Sequence, residues 1–357
     1  MTNKRKHVGN ILFLLAVFSI TLYYVFHGQD MRQVFQYVRQ SDIRYWGFSV
    51  VCVILFILSE SVIIYYMMRT IGQAIRLPHC FLYSFVGFFF SCITPSASGG
   101  QPAQIYFMKK HRLSVSLSTL ILMLVTITYK AVLVLLGVFV LVIRPPIIMQ
   151  YLSPVWGWCL LGIALNVFCV VFMMTLVFHP TLAVKLLVRL TRQCGTLFRL
   201  KQNEARIERV QRSMQKYRDA AVYLREHKLV IVNVLLITVV QRFLLFFVTY
   251  LTYRSFGFHG LGFLTVSVLQ GMISVSVDML PLPGGMGISE RLFLKIFAPI
   301  FGAELTIPAM VVSRGLGFYT ELLISAVMTM VAFFVIRGTA GPYAAKAEIQ
   351  MKKGDIL

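Results

Sequence analysis

The sequence predicts an all-α polytopic membrane protein with about six full spans, two re-entrant helical hairpins and an inverted internal repeat. Three observations predict it. Of 357 residues, 58% are hydrophobic and only 13% charged, where a soluble protein carries roughly a quarter charged residues. Six apolar windows reach the ~20 residues that a helix needs to cross hydrocarbon. Two Gly-rich breaks, Ser98-Gly99-Gly100-Gln101-Pro102 and Pro281-Leu282-Pro283-Gly284-Gly285-Met286-Gly287, interrupt apolar segments in the two halves of the chain. Broken backbone at bilayer depth survives only where it lines a polar cavity or is buried in protein. A pair of such breaks in corresponding places marks a transporter-like binding site.

Lys4-Arg5-Lys6-His7 followed by Val8 to Phe26 resembles a signal peptide. The apolar run is too long for one, and no small-residue cleavage pattern precedes Tyr23-Tyr24, so it reads as an uncleaved first span. The spans are expected at 8–27, 45–67, 116–143, 155–178, 229–253 and 307–336. Segments 79–94 and 261–280 each run into a Gly/Pro break. Short amphipathic stretches, 102–108 and 288–301, follow the breaks.

Lys and Arg set the orientation. If 79–108 and 261–301 each enter and leave on one side, then 1–7, 68–78, 109–115, 179–228 and 337–357 face the cytoplasm and hold 24 of the 34 basic residues. A simple crossing by 79–94 would strand Lys109, Lys110 and Arg112 outside. The two hairpins then enter from opposite faces, with both termini cytoplasmic. Gly99-Gly100 and Gly284-Gly285 are 185 residues apart, and the same step carries Lys130 next to Arg314. This suggests one ancestral unit used twice. The whole chain, 1–357, is expected to be a single membrane domain, with half one at 1–178, half two at 229–336 and a tail at 337–357.

Residues 179–228 carry twelve Lys/Arg, with Ile207, Val210, Met214, Ala221 and Leu224 on one helical stripe. They are expected to form a basic amphipathic connector, either solvated or docked on the anionic cytoplasmic leaflet. Positive-inside topology accounts for most of the net charge of +21. No nucleic acid is expected as a partner; any excess charge points to anionic lipid.

A charge in the bilayer costs at least ~2.5–3.5 kcal/mol. Even so, Glu60, Lys130, Arg242, Asp278, Glu290, Arg291, Arg314 and Glu321 all fall in membrane segments. Mutual pairing is the simplest account. Arg314 and Glu321 are two turns apart on one helix face, and Glu60 and Lys130 are placed to pair across the bundle. The functional account is a ligand with both charges. Lys130, Arg242 and Arg314 are candidates for a headgroup phosphate, which Arg grips through its planar fork. Glu60, Asp278, Glu290 and Glu321 are candidates for an amine or for proton coupling. Gly99, Gly100, Gly284, Gly285 and Gly287 would free backbone N–H groups at helix starts, at Gln101-Pro102 and Ile288-Ser289-Glu290, as a second anion device.

Several enzyme classes find no support. Gly285-Met286-Gly287 lacks the third glycine of a dinucleotide fingerprint, and no phosphate-loop Gly-Lys-Ser/Thr occurs. The histidines flank spans instead of clustering, and no Gly-x-Ser-x-Gly elbow is present. The six cysteines show neither a disulfide framework nor metal spacing. No cofactor is expected.

At Phe90-Ser91-Cys92-Ile93-Thr94-Pro95-Ser96-Ala97-Ser98-Gly99-Gly100-Gln101-Pro102 and Leu282-Pro283-Gly284-Gly285-Met286-Gly287-Ile288-Ser289-Glu290, the chain resembles the lysylphosphatidylglycerol synthase transmembrane region. This is the flippase-like part of multiple peptide resistance factors. The resemblance implies a bacterial plasma-membrane protein that handles phosphatidylglycerol or its lysyl ester and contributes to cationic peptide resistance. Full-length members add a second membrane block and a cytosolic domain that moves lysine from lysyl-tRNA to phosphatidylglycerol. This chain ends at Leu357, shortly after its last span, so it is not expected to carry that transfer by itself. The first expectation is therefore a lipid translocator. The alternatives are a phosphatidylglycerol lysyltransferase, a flippase for a polyprenyl- or glycosyl-lipid, and a structural scaffold. A homo-oligomer is open.

Overall fold

The computed structural model describes residues 31–178, 218–223 and 226–338. The expected first span, most of the basic connector and the tail beyond 338 lie outside the described residues. The described chain is helical: α1 Met31–Gln40, α2 Ile43–Thr70, α3 Leu77–Ile93, α4 Gly100–Lys110, α5 Val115–Ile143, α6 Pro146–Leu152, α7 Trp156–Phe178, α8 Lys228–Ser255, α9 Phe263–Val277, α10 Ile288–Arg314 and α11 Thr320–Gly338. Among the described residues, five stretches are long and apolar enough to cross a membrane: 43–70, 115–143, 146–177, 228–255 and 283–335. The protein is a multi-pass α-helical membrane protein. Helices α3 and α9 are apolar but only 17 and 15 residues long, short of the ~20 residues that a full crossing needs.

Helices α2 and α8 form the central pair, and they run antiparallel. Asp42 N donates to Ser255 O at 2.9 Å, Gln241 Nε2 donates to Phe56 O at 3.0 Å, and Asn233 Nδ2 donates to the Tyr66 hydroxyl at 3.1 Å. Both helices have 28 residues. Ile43 and Lys228, which start them, are separated by the same step as Phe56 and Gln241, 185 residues. Asp42 caps α2 by accepting the Arg44 N–H at 2.9 Å, which satisfies one otherwise free first-turn donor.

Lipid tails are as apolar as leucine, so these helices associate through close packing and polar contacts. Gly162 on α7 shows the packing. A Cβ there would lie 2.6 Å from Ser276 Cα, so α7 and the end of α9 touch almost backbone to backbone. Asn166, one turn on, donates to Val275 O at 3.2 Å. The outward faces stay apolar, with Phe168, Val142 and Phe334 each at least 70% exposed.

Both glycine breaks are real interruptions. After α3, Ser96 and Ala97 take positive φ of 50° and 54°, a region that β-carbons crowd. Thr94 Oγ1 holds the turn by accepting the Gly99 N–H at 2.9 Å. After α9, Gly284 and Gly287 have φ of 56° and 86°, which glycine adopts at little cost. The breaks meet one another: Ser96 Oγ donates to Leu280 O at 3.0 Å. The last long stretch, 283–335, is divided twice, the second time within the span expected over 307–336. Gly302 breaks α10 with φ 76°, ψ 168°, and a π turn, Gly315–Tyr319, separates α10 from α11.

Candidate functional site

The polar residues gather where the two breaks meet, with contributions from helices of both halves. Lys130 on α5 and Asp278, the residue that caps α9, form an ion pair of 2.5 Å. Lys130 Nζ is also 3.0 Å from Met279 Sδ. The neighbouring Tyr129 hydroxyl donates to the other Asp278 oxygen. Asp278 is thus engaged from two consecutive residues of one helix.

The second pair sits at the start of α10. Arg314 Nε donates to Glu290 Oε1 at 2.8 Å, and Arg314 Nη2 donates to Gly284 O at 3.0 Å. Glu290 Oε2 accepts the Gly287 N–H at 2.7 Å and the Ser289 hydroxyl at 3.0 Å. Glu290 is the third helical residue, so its carboxylate closes the helix start in the manner of a capping box. The Arg314 guanidinium also lies 4.8 Å from the Phe318 ring centroid.

Two buried carboxylates remain. Glu60 on α2 accepts from Gln104 Nε2 on α4 at 2.7 Å. Glu321 on α11 accepts from the Cys92 thiol on α3 at 3.6 Å. Both are 8% exposed. The charge of Arg242 on α8 acts on both. Its guanidinium lies 3.6 Å from the Tyr129 ring centroid and 5.0 Å from that of Phe56. Arg242 Nε is buried without a hydrogen-bond partner among the described residues. Cation–π contact on two rings holds the plane of this guanidinium and leaves its N–H fork unspent.

The arrangement corrects several expectations. Glu60 and Lys130 do not pair: α5 presents Lys130 to the end of α9, while Glu60 faces α4. Lys130 and Arg314 are each held by a carboxylate, Asp278 and Glu290. Arg314 and Glu321 do not form a direct pair. The π turn puts extra backbone between them, Arg314 reaches Glu290, and only a through-space effect on Glu321 is left. The start of α10 is not a free anion-binding end, because Glu290 already occupies it. Gly99 and Gly100 act sterically: a Cβ at Gly100 would lie 2.7 Å from Gly87 O, so the α3–α4 hairpin could not close. Arg291 lies on the exposed outer face of α10.

Tyr129, Gln104 and Phe56 were missed at the sequence level. Tyr129 adjoins Lys130, and Gln104 is a polar residue one turn beyond the first break, so both carried a local signal. Phe56 carried none, because an aromatic residue in an apolar span is ordinary.

The comparisons with known proteins fit this architecture. No curated protein matches the chain. A family model, that of the lysylphosphatidylglycerol synthase transmembrane region, matches residues 11–325. That match covers every described charge of the site and most of the sequence, and the chain therefore belongs to the lysylphosphatidylglycerol synthase transmembrane region family.

Proposed function

We propose that this protein binds the phosphate of an anionic phospholipid headgroup at Arg242 and carries the headgroup across the bilayer, with phosphatidylglycerol or its lysyl ester as the ligand. The single observation that supports the reading is the Arg242 guanidinium, in contact with the Phe56 and Tyr129 rings and with its Nε buried and unpartnered among the described residues. Of the three site cations, it alone forms no ion pair among the described residues. A planar guanidinium matches a phosphate diester through two parallel hydrogen bonds.

The halves read as an inverted repeat. The antiparallel α2–α8 pair, the matched 28-residue lengths and the meeting of the two breaks all favour it. In this reading α3–α4 and α9–α10 enter from opposite faces of a bacterial plasma membrane, and alternating access rocks one half on the other. Export of a lysylated lipid would make the outer face more positive and repel cationic peptides.

The test is transfer of a fluorescent phosphatidylglycerol in proteoliposomes, read by a membrane-impermeant quencher. Arg242→Gln is expected to slow transfer roughly tenfold or more, since a hydrogen bond to a charged group is worth about 1.5–3 kcal/mol. Unchanged transfer by folded Arg242→Gln would overturn the reading.

A further inference from the structure

Charge balance at the site points to a second ligand. Lys130 is committed to Asp278 and Arg314 to Glu290. Among the described residues Glu60 and Glu321 form no ion pair, and the charge of one guanidinium, Arg242, acts on both. Glu60 has Gln104 as its other close polar neighbour. Glu321 is faced by Cys92, and at longer range by Arg314, Tyr129 and Glu60 itself. Two buried carboxylates sharing one cation leave one negative charge uncompensated in a medium that solvates it poorly. Once a phosphate takes Arg242, neither carboxylate keeps its counter-ion. Like charges at this depth are relieved by protonation.

We propose that Glu60 and Glu321 form a proton site whose occupancy rises when an anionic headgroup engages Arg242, so that headgroup and proton are bound together. This rests on the reading of Arg242 as the phosphate ligand. Each proton is given up by a buffer acid in the bulk solvent, whose bond to hydrogen breaks to leave the conjugate base, and forms an O–H bond to a carboxylate oxygen. The neutral carboxyl can then donate a hydrogen bond to the phosphate.

The experiment is calorimetric titration of the purified full chain with dihexanoyl phosphatidylglycerol in buffers of unlike ionisation heat, which counts protons taken up. Infrared spectra are recorded on the same samples. Wild type is expected to gain a proton with each headgroup. Glu60→Gln and Glu321→Gln keep the shape and the acceptor of each side chain; each is expected to bind the lipid with reduced uptake, and the double variant with none. Binding without uptake in wild type, or uptake that persists in the double variant, would overturn the proton site and leave the phosphate site standing. If wild type binds no lipid, the phosphate reading fails and the infrared spectrum decides alone. A neutral-carboxyl band near neutral pH that disappears in the Glu→Gln variants supports the proton site, and its absence overturns it.

Discussion

Lys130 Nζ and Asp278 Oδ2 are 2.5 Å apart, which ties the long span of the first half to the backbone just before the second glycine break. Removing one partner of a buried pair strands the other charge, at about 3–5 kcal/mol. Lys130→Met is therefore expected to cost about that much thermal stability in detergent, and Lys130→Met with Asp278→Asn to recover part of it. Tyr129→Phe, which deletes one neutral donor to Asp278, should cost nearer ~1–3 kcal/mol.

Glu290 has two roles that two substitutions separate. Glu290→Ala removes both the Arg314 partner and the acceptor for Gly287 N–H. Loss of a helix-start acceptor costs about 0.5–2 kcal/mol, on top of the stranded arginine. Glu290→Gln keeps one acceptor oxygen, which can take the Gly287 N–H, while its amide nitrogen only donates and cannot serve Arg314. A melting curve for Glu290→Gln well above that of Glu290→Ala is the expected result.

On α7, two glycines separate close contact from open surface. Gly162→Ala drives a methyl into the α9 backbone and is expected to destabilise by about 1–3 kcal/mol, as overpacking does. Gly157 has nothing within 4 Å of an added Cβ, so Gly157→Ala should be neutral by comparison. Parallel denaturation of the two variants checks this.

Arg242→Lys should fall between wild type and Arg242→Gln in lipid transfer. The charge is kept, but a lysine ammonium has no fork to grip phosphate at two oxygens. Ranking the three rates by quencher protection checks it.

Acidification should act through His111, in the turn between α4 and α5. Burial, and then the nearby His79, push this imidazole down to about 4, and its Nδ1 is hydrogen-bonded with the Tyr83 hydroxyl. An unfolded histidine titrates near ~6.5. Between these values the unfolded chain binds a proton that the folded chain refuses, so stability rises with pH across the window and falls as pH drops through it. His111→Gln should flatten that part of the pH–stability curve.

How far the sequence was legible depends on the range of the signal. Spans expected at 45–67, 116–143, 155–178 and 229–253 coincide to within a few residues at their shared ends with, or lie inside, helical stretches at 43–70, 115–143, 146–177 and 228–255, because continuous apolarity is a local property. The breaks were legible for the same reason, since Gly and Pro act on their own backbone. Which charge met which was not. Lys130 finds Asp278 from 148 residues away, and no periodicity ranks Asp278 above Glu60 as its partner. The π turn at 315–319 also hid from helical spacing, which assumes an unbroken α-helix between Arg314 and Glu321.

The sequence by itself determined a helical membrane protein with two glycine-broken hairpins and a set of buried charges, since hydrocarbon excludes other backbones and tolerates few such side chains. Only the tertiary structure decided that Lys130 and Arg314 are paired with carboxylates and that, among the described residues, Arg242 is not. Partner choice is a matter of side-chain distance across the bundle, and helix packing sets that distance.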